Sequence, residues 1–385
     1  MIWPTLPLGS VSTLLSGGTP AKSDHAMWNG DIPWVSPKDM GQWLLDDAQD
    51  HVSPRAIGNG TRLAGAGASL IVVRSMGLLS GVQLAYARRD VAFNQDLKAV
   101  VAKPGIDQRF LFYAVAAARP RIHEQVDEAS HGTKRIQTYV LETLPIPVPP
   151  IGSQIAIASV LGALDDKIDL NCRTNKTIDD LTVKAYERVV ANRYQLKQMA
   201  DICEPLRDTV DPARQPGSTF SLYSFQAFDN GGLPLDVSGS SIKSLKLTVQ
   251  EGTVLVAKLN PHIARVWLAD PAVEAPAIAS TEWLVLKPKA PGTPALLYTL
   301  CRSSDFALDL ASLVTGSTGS HQRVAGESVM NMQIRWPDFG TDPELDGVIR
   351  PMLELKRHNL HENGSLVKLR DALLPELISG RMTVN

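Results

Sequence analysis

A series of segments in the first half of the chain recurs in the same order in the second half, and a duplicated chain imposes a duplicated architecture. Ala68–Arg74, a short β-branched run ending in a cation, returns in character as Gly252–Lys258. Ala92–Val100 resembles Ala277–Val285, and Phe110–Tyr113 resembles Ala295–Tyr298. A polar stretch around a glycine follows in each copy, Ser130–Arg135 against Ser317–Arg323, and each copy closes on a proline-bearing strand, Leu144–Pro149 against Met332–Pro337. Short β-branched runs divided by Gly, Pro and Ser predict two α+β domains with many loops. The length of 385 residues agrees, being too great for one ordinary core.

After each copy the pattern changes to the three-four spacing of a coiled-coil seam. In the first such segment the seam falls at Ile157, Leu161, Leu164, Ile168, Asn171, Asn175, Ile178, Thr182 and Ala185. In the second it falls at Ile349, Leu353, Lys356, Leu360, Asn363, Val367, Arg370, Leu374 and Leu377, with Asn363 matching Asn171. Ser153 stands as N-cap after Pro149-Pro150, and the proline interrupting the second helix is placed near its end, at Pro375. The layout is a globular domain at 1–150, a helix at 151–193, a globular domain at 194–340 and a helix at 341–385. Roughly 35 helical residues make a rod of about 50 Å, too long to be buried inside a small domain. Each helix has its simplest partner in the other, antiparallel, with a domain held at either end.

No stretch offers the roughly 18 uncharged apolar residues that a membrane-spanning helix needs. Met1-Ile2-Trp3-Pro4 lacks the basic and apolar regions of a secretory signal, so a cytoplasmic protein without membrane contact is expected. Cys172, Cys203 and Cys301 lie far apart, with neither CxxC spacing nor histidine companions, which argues against a zinc site or a disulfide framework. The formal net charge of -2 is not the strongly basic signature of a protein that grips DNA unaided. Either the partner is not nucleic acid, or other subunits supply much of the phosphate contact.

Local marks narrow the choice. Leu8-Gly9 precedes Gly17-Gly18-Thr19-Pro20 and then Trp28-Asn29-Gly30-Asp31-Ile32-Pro33-Trp34-Val35-Ser36. Asn94-Gln95, Gly132-Thr133 and Leu144–Pro150 leading into Gln154 and Ile157 complete the set. In this order they resemble the specificity subunits of type I restriction-modification systems, over essentially the whole chain. The second half departs from the pattern, with Glu204-Pro205-Leu206 where Gly-Gly-Thr-Pro would stand and Trp336-Pro337-Asp338 in place of the double proline.

The resemblance implies an α+β protein of two target-recognition domains alternating with two long spacer helices, which pair as an antiparallel coiled coil in a pseudo-twofold internal duplication. It implies sequence-specific binding of double-stranded DNA, each domain reading one half of a split target. Two methyltransferase (modification) subunits are the implied partners, with restriction/translocase subunits as further candidates. S-adenosylmethionine, ATP and magnesium are then expected on those partners, and no cofactor on this chain. Partners that enclose the duplex would contribute much of the positive field, which accommodates the neutral charge. A protein-interaction scaffold with a duplicated coiled coil and no DNA is the alternative.

Enzymatic readings find little support in the residues. Asn260-Pro261-His262 lacks the second proline and the aromatic residue by which adenine methyltransferases hold a flipped base. Gly65-Ala66-Gly67 precedes an apolar run instead of following one, so it reads as a turn before a strand, and Gly132-Thr133-Lys134 lacks the upstream glycine of a phosphate loop. Asp46-Asp47 and Asp165-Asp166 read as solvated charges, not as a metal-holding cluster. The chain is read as non-catalytic.

The Gly132 and Gly319 loops are the leading candidates for DNA contact, because glycine lets backbone approach closely while neighbours offer donors. His131, Thr133, Lys134 and Arg135 cluster in the first copy; Ser317, Thr318, Ser320, His321, Gln322 and Arg323 do so in the second. Arg and Lys suit guanine edges or phosphates, and Gln suits adenine. Ser36, Lys38 and Arg74 follow in the first domain, with Lys258, Asn260, His262 and Arg265 in the second. For Trp28 and Trp34 a place in the core is favoured over base contact.

Overall fold

The computed structural model describes residues 3–128, 132–270, 275–289, 293–314, 322–338 and 344–384. Its contacts divide the chain into two units, Met1–Asp169 with Ser365–Asn385, and Leu170–Gly364.

In the first unit the wholly buried run Ser69–Val72 becomes an inner strand of a five-stranded sheet, in the order Ser12–Ser16, Leu97–Ala102, Ser69–Val72, Leu84–Ala87, Leu44–Leu45. The helix Gln108–Ala117 joins the same core through the buried residues Phe110 to Ala116. Asp107 starts that helix by accepting from the Phe110 N–H at 2.7 Å, as an N-cap carboxylate should. A second sheet runs Asp50–Val52, Trp28–Val35, Val91–Phe93, Arg62–Ala64. Thr5–Pro7 pairs antiparallel with Pro145–Pro147.

The marks that carried the resemblance are packing features here. A Cβ on Gly17 would lie 2.2 Å from the Phe93 carbonyl oxygen, and one on Gly18 would lie 2.1 Å from that of Gly60, so neither position admits a side chain. Trp34 is buried, donates its indole N–H to the Gly18 carbonyl at 3.0 Å, and meets Trp28 edge-on at 5.2 Å between ring centroids.

The second unit repeats the centre of this plan, with a four-stranded inner sheet and a five-stranded second sheet. Its inner strand Val254–Ala257 lies in a sheet ordered Cys203–Pro205, Trp283–Pro288, Val254–Ala257, Val266–Leu268. Helix Pro294–Arg302 packs in that core, and Tyr194–Gln198 pairs antiparallel with Gln333–Pro337. The parallel pair formed by Trp28–Val35 and Val91–Phe93 has its counterpart in Thr219–Tyr223 and Ala277–Ala279.

Two long helices, Ile151–Val190 of 40 residues and Leu345–Ser379 of 35, each contribute to both units. The first begins earlier than a cap at Ser153 would allow. The Ser153 and Gln154 N–H groups both donate to the Pro150 carbonyl, so the cap role falls to Pro150 and Ser153 lies within the first turn. Pro351, as well as Pro375, lies inside the second helix.

The helices pair antiparallel, because partners on one fall in number as those on the other rise. In the second unit Asn171 Nδ2 donates to Asn363 Oδ1 at 2.8 Å, Asn359 Nδ2 to Asn175 Oδ1 at 2.9 Å, and Lys356 Nζ to the Asp179 carboxylate at 2.6 and 2.7 Å. The seam departs from the expected one at three steps: Asp165, Tyr186 and Asn359 are buried, while their expected neighbours Leu164, Ala185 and Leu360 are only half-buried.

Asp165 corrects a second expectation. It is 3% exposed instead of solvated, accepting from the Tyr113 hydroxyl at 2.6 Å and from Arg370 Nη1 at 2.9 Å. Arg370 also stacks over Trp43, 3.8 Å from the ring centroid. The second unit repeats the arrangement: the Tyr298 hydroxyl donates to Asp179 at 2.9 Å, and Lys356 supplies the cation. Tyr113 and Tyr298 end the matched segments Phe110–Tyr113 and Ala295–Tyr298, so the duplication extends to a buried tyrosine, carboxylate and cation in each unit.

Candidate nucleic-acid interface

Each unit has a corner where its inner strand ends and the glycine-loop segment returns alongside. In the first, Ser69–Val72 leads to Arg74, which bridges antiparallel to Arg135, while the Ile136 N–H donates to the Val73 carbonyl at 2.8 Å. Gly132 opens the returning segment at φ +76°, a backbone state that suits glycine. Lys134 and Arg135 then pair with Asp127–Glu128 as a short two-stranded ribbon, and Lys134 Nζ meets Glu128 at 2.9 Å. Arg74 is exposed, with no carboxylate partner among the described residues. Thr133 is half-buried beside them, and the Arg135 Nε is enclosed without a hydrogen-bond partner among the described residues.

The second unit builds the same corner one residue further along. Leu259 bridges antiparallel to Arg323, and the Val324 N–H donates to the Lys258 carbonyl at 3.0 Å. The backbone N–H of Arg74 bonds the Asp96 carbonyl in the first unit, and that of Lys258 bonds the Glu282 carbonyl in the second. Arg323 reaches the Glu282 carboxylate at 2.8 Å. Burial lowers the pKa of Lys258, leaving its ammonium less well solvated than a surface lysine's. Asn260, at φ 50°, donates its N–H to the Gln322 carbonyl at 2.9 Å, and its own side-chain oxygen is buried without a hydrogen-bond partner among the described residues. Arg74, Thr133, Lys134 and Arg135 are thus brought together, as are Lys258, Asn260, Gln322 and Arg323.

Other expected contacts lie elsewhere or are already engaged. Ser36 is buried in a capping box, its N–H and hydroxyl both donating to Asp39 at 2.9 Å. Lys38 bonds Asp50 at 2.8 Å, and that bond raises its pKa. Arg265 makes two bonds of 2.8 Å to Asp229 and stacks on Phe225, which turns its guanidinium inward. His262 is exposed on the turn that follows Asn260. His131, Ser317, Thr318, Ser320 and His321 lie outside the described residues.

The model of the type I restriction modification DNA specificity domain matches residues 2–180. The matched stretch is just under half of the chain, which is similar there to a type I specificity domain. It is 33% identical over 165 residues to the specificity subunit of the type I restriction enzyme EcoR124I/EcoR124II of Escherichia coli, a match spanning 42% of this chain and 40% of that one. To the MjaIX specificity subunit of Methanocaldococcus jannaschii it is 21% identical, over 99% of this chain and 94% of that one. In fold it is similar to the type I S subunit from M. genitalium, with a TM-score of 0.56 at 14% identity, covering 98% of this chain and 96% of that one. These likenesses support a DNA-recognition subunit, and the scaffold alternative is not favoured.

What the sequence did not disclose is how the cations are held. Glu128, Glu282, Asp229 and Asp50 each take one of the expected contact residues. Local sequence gave one usable signal: Lys134 lies six residues after Glu128, across a glycine turn. Among the described residues no group of three or more His, Cys, Asp or Glu is placed to hold a metal, and no helix is long and apolar enough to cross a membrane.

Proposed function

We propose that this chain is the non-catalytic reader of a type I restriction-modification complex, each unit reading one half of a split target through its corner. The observation carrying this is the repetition of the corner: two copies of one backbone arrangement present different side chains, Lys134 and Arg135 in one, Gln322 and Arg323 in the other. A repeated scaffold with unlike contacts suits a target whose halves differ. The local ion pairs do not oppose this, since part-exposed pairs contribute only about 0–1 kcal/mol and can exchange a carboxylate for a phosphate. They also suit a reader whose neutral charge leaves much of the phosphate contact to others. Two methyltransferase subunits fill that role in this reading, with restriction/translocase subunits beyond them; S-adenosylmethionine, ATP and magnesium belong to those subunits.

The test is binding by the full chain together with its methyltransferase partner. Selective binding of duplexes sharing a two-part motif, weakening as salt rises, is the expected result. Equal affinity for every duplex, or no binding even at low salt, would reject the proposal.

A further inference from the structure

We infer that the exposed apolar tips of the two corners, Met76 and Leu79 in the first unit and Ile263 in the second, read thymine through its 5-methyl group. This rests on the DNA-reading function proposed above and names the chemistry of one part of it.

In the first unit the turn Met76–Leu79 begins two residues after Arg74, with Ser75 as its N-cap. Ser75 fixes its start, its hydroxyl accepting from the Gly77 N–H at 3.0 Å and its own N–H donating to the Lys134 carbonyl at 3.0 Å. Leu78 is fully buried and anchors the turn, while Met76 and Leu79 remain 56% and 58% exposed. The second unit does the same with other residues: Pro261 is buried, Asn260 accepts from the Ile263 N–H at 2.9 Å, and Ile263 is left 41% exposed.

A single exposed apolar residue is ordinary. Here two copies of one corner, unlike in sequence, each hold such a residue out on a turn tied to the segment that carries the cations. A protein-docking face would call for a contiguous apolar patch of several hundred Å², whereas these tips stand beside Arg74, Lys134 and Arg135, and beside Lys258 and Arg323. Cations beside small apolar tips match the major-groove face of a duplex, where the thymine methyl is the apolar feature among phosphates and polar base edges. The turns are already fixed by their own hydrogen bonds, so little ordering is required on contact.

Covering one methyl group is worth about fourfold in affinity. The experiment uses the full chain with its methyltransferase partner and the duplex it selects, replacing each thymine in turn by deoxyuridine, which removes only the 5-methyl group. We expect the unaltered protein to lose about fourfold at one or more thymines in each half of the target. Met76→Ala with Leu79→Ala should abolish that loss in one half alone, and Ile263→Ala in the other, with unchanged thermal unfolding since the three side chains are exposed. The inference is overturned if deoxyuridine is tolerated everywhere by the unaltered protein, or if the variants keep the penalty. Either result, obtained with selective binding intact, leaves the DNA-reading function standing, whereas absence of selectivity in the unaltered protein refutes that function and this inference together. Release of the methyltransferase by the variants would assign the tips to a protein contact and also overturn it.

Discussion

Replacing Arg370 by methionine should be among the most damaging single changes in the helix pair, because it strands a buried carboxylate. Asp165 and Arg370 have side chains only 2% and 8% exposed. Removing one partner of such a pair costs about 3–5 kcal/mol, since the remaining charge stays desolvated. The Tyr113 hydroxyl still donates to Asp165 at 2.6 Å, which places the expected loss at the lower end, about 3 kcal/mol. For a unit of this size each kcal/mol moves the melting temperature by about 2–4 °C, so a fall of roughly 6–12 °C is expected in thermal unfolding followed by circular dichroism. Adding Asp165→Asn should recover at least half of that fall, because no unpaired charge is then buried. Arg381→Met, which breaks the exposed pair with Glu376, serves as the control and should leave the transition in place. A fall of less than about 2 °C for Arg370→Met would mean that water reaches Asp165, and would refute the account of the buried pair.

Asn171→Leu should destabilise by about 1–3 kcal/mol, because the Asn363 amide loses its buried partner, while Asn171→Leu with Asn363→Leu should melt above the unaltered protein. Gly18→Ala forces a Cβ to within 2.1 Å of the Gly60 carbonyl and should lower stability by about 1–3 kcal/mol, read by the same unfolding assay. Lys134→Ala with Arg135→Ala should leave melting nearly unchanged yet reduce the slope of log affinity against log salt by about one to two units, measured with the methyltransferase partner present.

The sequence revealed most where one kind of pattern decided the outcome alone. Val254–Ala257 and Ser69–Val72 are apolar or small throughout, and such runs fill inner strands whatever surrounds them. The helix seam was legible for the same reason, because three-four spacing survives without knowledge of the partner. Asp165 was misjudged because its surroundings come from Tyr113 and Arg370, both remote in the chain. A clue was nonetheless present: Lys356 and Arg370 stood at apolar seam positions. With Asn171 opposite Asn363, an antiparallel register puts carboxylates, Asp179 and Asp165, against those two cations. At the corners, residue type pointed to the basic segments but could not show that Ser36 caps a turn or that Arg265 faces Asp229, since both depend on geometry and not on composition.

The central claim, two readers in one chain with one half-target each, is tested most directly by mapping modified bases in the DNA of cells that carry the methyltransferase partner. Arg74→Ala and Arg323→Ala alter the two corners separately, and each lies on the surface, away from the helix seam. The account predicts a two-part motif for the unaltered protein, with Arg74→Ala relaxing the bases of one part and Arg323→Ala those of the other. A single undivided motif, or relaxation of the same part by both variants, would contradict it.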